Sequence, residues 1–239
     1  MSIKLKSHLK EAEELYKKIS DFESAVHLKN NYNPVEGVRH YTKEDAGAVI
    51  DALSGSLELG PDELDDLEDA MHSGKIDFMR LVRENEAMPE DEYRLLYIVS
   101  RPFFKSMKTA VNMDDMFWGD GRCPVCSAKP SLSLLEKEAQ RKYFCSFCGT
   151  SGTYKRIGCP ACLTEDPRDI TIITLEGEDG MRADTCEKCR SYVKTFDGSV
   201  TEGNSMDLLD IMSIPLDIVV QEKGFKRQAP NPLGIMKLT

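Results

Sequence analysis

The chain has 239 residues, 41% apolar and 30% charged, a balance that suits a soluble globular protein with room for one large domain or two to three small ones. Its formal charge of −10 lies in the first half: residues 1–120 carry 15 Lys and Arg against 25 Asp and Glu, and residues 121–239 carry 16 of each. Neither half has the basic excess of a nucleic-acid binder, and no apolar run is long enough for membrane insertion.

The N-terminal stretch MSIKLKSHLKEAEELYKK lacks the apolar core of a secretion signal, which predicts a cytoplasmic setting. Leu5, Leu9, Ala12, Leu15, Tyr16 and Ile19 recur at three- and four-residue steps among Lys and Glu, the pattern of an amphipathic helix. Asn33-Pro34 and Gly37 mark a loop. Thr42 is the expected N-cap of a helix reaching Leu57, with Asp45 in the reciprocal position of a capping box. Gly60-Pro61-Asp62 opens another helix, whose polar face is the acidic run Asp62–Asp69. Pro89 starts a helix carrying Tyr93, Leu96, Tyr97 and Val99, which Pro102 is expected to kink or end. The apolar stretch Phe103, Phe104, Met107, Met113, Met116, Phe117 and Trp118 is expected to pack between the helical domain and the cysteine-bearing half.

From Gly121 the texture changes to short strands and turns. Strands are predicted at 131–135, 142–144, 153–157, 170–175, 181–185 and 191–196, with polar turns near Glu138 and over Glu176–Gly180. An amphipathic segment from Ser205 to Lys223, interrupted by Pro215, closes on Gly224.

All eight cysteines fall into four Cys-x-x-Cys pairs: Cys123/Cys126, Cys145/Cys148, Cys159/Cys162 and Cys186/Cys189. Such a pair bends the backbone into a knuckle that aims two sulfurs at one point, and two knuckles supply a tetrahedral site. The first two pairs are separated by 18 residues and the last two by 23, so the chain holds a tandem repeat whose second hairpin is five residues longer. Each repeat has a complete ligand set, which favours sequential sites over an interleaved cross-brace. The four histidines precede residue 121, so mixed ligation is not expected. Four protein ligands leave no open position for substrate, which disfavours hydrolytic metal catalysis. No nucleophile elbow or phosphate loop is present, so no catalytic residue is expected. The sulfurs suit two metal ions, zinc or iron.

Gly121-Arg122-Cys123-Pro124-Val125-Cys126, Pro130, and the three further knuckles resemble the FdhE-type formate dehydrogenase accessory proteins. Arg101-Pro102-Phe103-Phe104, Leu216-Asp217, Gly224-Phe225-Lys226-Arg227 and Asn231-Pro232 extend the resemblance over residues 101–239. The resemblance implies an α+β protein with an N-terminal all-helical domain, two tandem rubredoxin-like modules and a C-terminal helix. It implies a cytoplasmic, non-enzymatic maturation factor that acts on the molybdenum- or tungsten-containing catalytic subunit of formate dehydrogenase. It also favours iron at the eight cysteines. Ser127, Leu163 and Arg190 depart from it, because the family's knuckles are followed by glycine, as only Gly149 is here. The expected division is 1–120 helical, 121–158 and 159–203 the two four-cysteine modules, and 204–239 the C-terminal helix and tail. Alternative readings are a zinc-ribbon nucleic-acid or transcription module and a rubredoxin-type electron carrier.

Overall fold

The computed structural model describes residues 2–57, 59–83, 88–136 and 140–238, with side chains from residue 9 onward. The side chain of Leu5 and the turn expected near Glu138 lie outside the described residues. Five helices come first: α1 (Ser2–Ala25), α2 (Lys43–Ser56), α3 (Pro61–His72), α4 (Phe78–Arg83) and α5 (Glu90–Val111). Seven strands come next: β1 (Met116–Phe117), β2 (Leu132–Leu135), β3 (Arg141–Phe144), β4 (Ser151–Thr153), β5 (Ile170–Ile173), β6 (Met181–Cys186) and β7 (Tyr192–Asp197). Two short helices, α6 (Met206–Met212) and α7 (Ile214–Glu222), end the order. Thus a helical N-terminal region precedes a sheet-bearing cysteine half, as the sequence leads one to expect. No described helix is long and apolar enough to cross a membrane.

Local chemistry accounts for several helix boundaries. Thr42 caps α2 by accepting from the Asp45 N–H. Asp45 does not complete the capping box. It is buried, and its carboxylate accepts instead from the Lys29 and Asn30 backbone N–H groups and from the Tyr32 hydroxyl, pinning the α1–α2 connection. Glu63 reaches back to the Gly60 N–H at the start of α3, whose acidic run faces solvent. Pro215 sits in the first turn of α7, so the break between α6 and α7 falls at Ser213.

Pro102 does not end its helix. α5 runs on to Val111 because the hydroxyl of Tyr41 enters the hydrogen-bond ladder at that point. It donates to the Val99 carbonyl at 2.8 Å and accepts from the Phe103 N–H at 2.8 Å, satisfying two groups that the local opening separates.

The strands form one seven-stranded sheet of order β1-β4-β3-β2-β7-β6-β5. Each repeat contributes an antiparallel ribbon, and the two ribbons join edge to edge where β2 and β7 run parallel, Leu132 beside Lys194 through Leu135 beside Asp197. The third strand is β4 at 151–153 rather than 153–157, because its pairing with β3 begins directly after the second knuckle. The two-residue β1 and the short α4 were not anticipated; neither is long enough to show a period.

One apolar core runs from Ile19 and Phe22 of α1 through Phe103, Phe104 and Met107 of α5 into Cys126, Tyr143 and Phe147 of the first ribbon. The helices therefore pack directly on the first cysteine site. Smaller cores lie between the second ribbon and α7 (Ala183, Tyr192, Leu216, Val220, Phe225) and between the joined strands and α6 (Leu132, Phe196, Leu209). The apolar stretch before the first knuckle divides: Phe103, Phe104, Met107 and Trp118 are buried, whereas Met116 and Phe117 are exposed.

Candidate metal centres

All four knuckles share one backbone design. The N–H of the first cysteine donates to the carbonyl five residues on (Ala128, Thr150, Thr164 and Ser191), at 2.8 to 3.0 Å. The carbonyl of the same cysteine accepts from the residue after the second cysteine (Ser127, Gly149, Leu163 and Arg190). That residue is left-handed in every case, with φ of 64°, 72°, 61° and 56°. The turn so formed swings both sulfurs to one side.

The sulfurs meet in two groups, Cys123, Cys126, Cys145 and Cys148, and Cys159, Cys162, Cys186 and Cys189, each with all four ligand atoms within 4.8 Å of one another. The grouping is sequential. In the first group the sulfurs of Cys123 and Cys148 are 3.5 Å apart and those of Cys126 and Cys145 3.3 Å. In the second, Cys159 and Cys189 are 3.6 Å apart and Cys162 and Cys186 3.7 Å. A tetrahedron with metal–sulfur bonds of about 2.3 Å has edges of about 3.8 Å, so the spacing fits one ion at the centre of each group. All eight cysteines are free thiols rather than disulfides.

The surroundings push the thiols of each group in opposite directions. Burial pushes the Cys126 and Cys145 thiols well up. It pushes on Cys148 too, but hydrogen bonds from the other three cysteines and Thr150 outweigh it and hold that thiol well below the ordinary range. In the second group burial raises Cys162 and Cys186, whereas at Cys189 burial is outweighed by the Ser191 hydroxyl and its N–H. A bound cation must therefore displace protons from the thiols that burial raises. Thr150 Oγ1 lies 3.1 Å from Cys148 Sγ and Ser191 Oγ 2.9 Å from Cys189 Sγ. These hydroxyls escaped the sequence reading, although their common position two residues past the fourth cysteine was a signal for them.

The two sites differ in their surroundings. Around the first, Tyr97 of α5 donates from its hydroxyl to the Ser146 carbonyl inside the second knuckle, and Phe147 is packed edge-on by Tyr97 and Phe104. Its four cysteines are all buried. At the second, Cys162 and Cys189 are partly exposed. Gly121 fits the two repeats together: a Cβ there would stand 2.1 Å from the Pro160 carbonyl oxygen of the third knuckle.

The fourth knuckle is tied to the C-terminal segment. The Arg190 guanidinium lies over the Phe225 ring, 3.7 Å from its centre, and donates to the Lys223 carbonyl at 2.6 Å. The Arg190 carbonyl accepts from Lys226 N–H, and the Lys226 carbonyl from Tyr192 N–H. Behind this lies a fully buried ionic cluster. Lys194 pairs with Asp210 at 2.5 Å and Asp217 at 2.6 Å, and Arg227 with the same two carboxylates at 2.8 and 2.9 Å. Two cations and two anions cancel, and Tyr192 adds a hydroxyl donor to Asp217. In β7, Lys194 alternates in phase with Tyr192 and Phe196, so a cation on an apolar face was the available sign of this cluster.

A helical layer on a sheet that carries two closed four-cysteine clusters defines a two-site cysteine-knuckle protein of rubredoxin-like design. Residues 157–233 match the family model described as FdhE, C-terminal domain. The FdhE homolog of Aquifex aeolicus is 30% identical over 150 residues, which is 60% of this chain and 53% of the relative. That of Stutzerimonas stutzeri is 28% identical over 116 residues, 46% of this chain and 37% of the relative. The chain thus spans about half the length of the first of these relatives and less of the second. The crystal structure of the FdhE protein from Pseudomonas aeruginosa superposes with a TM-score of 0.63 at 19% identity, covering 91% of this chain and 79% of that one. Over these spans the chain is similar to FdhE proteins, and residues 157–233 carry the match to their C-terminal domain.

Proposed function

We propose that this chain is a non-enzymatic accessory factor in the formation of formate dehydrogenase, acting in the cytoplasm by docking on the molybdenum- or tungsten-containing catalytic subunit. The observation that carries this reading is the pair of closed four-sulfur clusters in a chain with the FdhE C-terminal domain. Closed sets of this kind hold an ion without offering it to a substrate. Cys123, Cys126, Cys145 and Cys148 would hold one ion, and Cys159, Cys162, Cys186 and Cys189 the other. Iron is the favoured metal, on the resemblance. The bound ions supply a cross-link between knuckles and, as iron, a one-electron couple. The chain's own contribution is to orient the thiolates, to bury the first site beneath α5 and to leave the edge of the second near solvent.

The direct test is affinity purification of the tagged chain from its host, paired with formate dehydrogenase assays in a strain lacking it. Co-purification of the catalytic subunit and loss of activity are expected. Full activity in that strain, with no association, would falsify the reading. Metal analysis of protein purified without oxygen should find two ions per chain. Visible ferric-thiolate bands that bleach on reduction identify iron, and a colourless, functional protein identifies zinc.

A further inference from the structure

A cavity of about 500 Å³ lies between the start of α5 and the C-terminal segment, and no cysteine lines it. Its volume is in the range of sites for small organic molecules. Its apolar wall comes from Met88, Tyr93, Phe225 and Met236. Among the described residues its lining includes two exposed lysines, Lys226 and Lys237, against one carboxylate residue, Glu90. Neither lysine has a carboxylate partner among the described residues. Arg227 also borders the cavity, but its charge is taken up by Asp210 and Asp217.

The walls are held by specific bonds, so the space is part of the fold. Gln221 of α7 donates from its side-chain amide to the Met236 carbonyl at 3.1 Å and accepts from the Leu238 N–H at 2.7 Å. Arg94 of α5 donates to the Leu233 carbonyl at 2.9 Å. Gly234 permits the close approach there: its φ is 77°, and a Cβ would stand 2.8 Å from Arg94 Cγ. The tail is strapped to both helices, which sets Lys237 beside the same space that Lys226 lines.

We propose that this cavity binds a small organic anion, a carboxylate, sulfonate or phosphate on an apolar body, with Lys226 and Lys237 meeting the charge and Tyr93, Phe225 and the two methionines the body. Free cations at an apolar mouth select such a ligand over a neutral one, because the charge is met at the rim while the body leaves water. The site makes no use of the cysteine clusters, and its test is separate from that of the accessory role.

The probe is anilinonaphthalene sulfonate, titrated by fluorescence into the metal-loaded full chain, with neutral N-phenylnaphthylamine as competitor. Saturable binding of one sulfonate per chain is expected, weakened about tenfold or more in a Lys226→Gln, Lys237→Gln double variant, as loss of charge-assisted contacts implies. Both lysines are exposed, so the double variant should melt like the parent. A second variant, Met236→Trp, should fill the space and remove saturable binding. The assignment fails if no saturable binding occurs, if the double variant binds unchanged, if Met236→Trp binds unchanged, or if the neutral amine displaces the sulfonate as well as the sulfonate itself does.

Discussion

A left-handed residue follows each knuckle, and at three of the four positions it carries a side chain. For Leu163 the conformation costs about 1–2 kcal/mol, whereas glycine there adds about 0.5–1 kcal/mol of unfolded-chain freedom, so Leu163→Gly should stabilise the loaded protein by roughly 0.5–1 kcal/mol in denaturant melts. Arg190 has the same backbone, yet its guanidinium holds Phe225 and the Lys223 carbonyl. Arg190→Gly should therefore lower the melting temperature where Leu163→Gly raises it. Equal shifts of one sign would refute the assigned difference. Asp210 shows a second residue-scale effect. Burial works against its charge, but Arg227 and Lys194 outweigh that and hold its pKa below the usual carboxylate range. Asp210→Asn leaves two buried cations with one full partner and should cost about 3–5 kcal/mol in urea unfolding. A cost under about 1 kcal/mol would show the cluster to be hydrated in solution.

Helix α5 connects the two halves. Its first part strings Tyr97, Arg101 and Phe104 along the second knuckle, and Arg101 reaches Glu23 of α1, Asp207 of α6 and the Ser146 carbonyl. The helix survives Pro102 because Tyr41 supplies both a donor and an acceptor at the opened turn. Tyr41→Phe keeps the ring contacts with Phe78 and Phe103 but orphans the Val99 carbonyl and the Phe103 N–H. It should cost about 2–3 kcal/mol, measured by chemical denaturation. A neutral result would mean that the helix closes its own ladder across the proline. The strands show the same dependence on partners. Gly152 of β4 lies against Trp118, where a Cβ would meet the indole nitrogen at 1.9 Å, so the short strand is set by what packs on it.

At the scale of the whole molecule the two metal sites are unequal. The first is roofed by α5 within the main core, and the second exposes the edges of Cys162 and Cys189. A chelator in excess should remove metal in two phases, the second site first, with loss of the main core when the first site empties. A single phase with coincident unfolding would contradict this order. Acid should act through buried carboxylates. At Asp45 burial opposes ionisation but is outweighed by the Tyr32 hydroxyl, the Lys29 N–H and Asn30, so its folded pKa lies below its unfolded one, as at Asp210. Their contribution is complete above about pH 4 and is lost as pH falls through the lower folded values. Urea midpoints of the parent should fall over that acid window, and Asp45→Asn should flatten the fall.

The knuckles, their grouping and the helical character of the first half were legible in the sequence because each rests on local rules. A Cys-x-x-Cys turn aims its own sulfurs, the spacing within a repeat fixes which turns can meet, and helical periodicity needs no distant partner. Other features depend on contacts between residues far apart in the chain. The joining of β2 to β7, the Tyr41 hydroxyl in α5, the neutralisation of Lys194 and the difference in exposure of the two sites were decided by tertiary packing. A side chain's burial and its polar partners are settled only when separate elements meet.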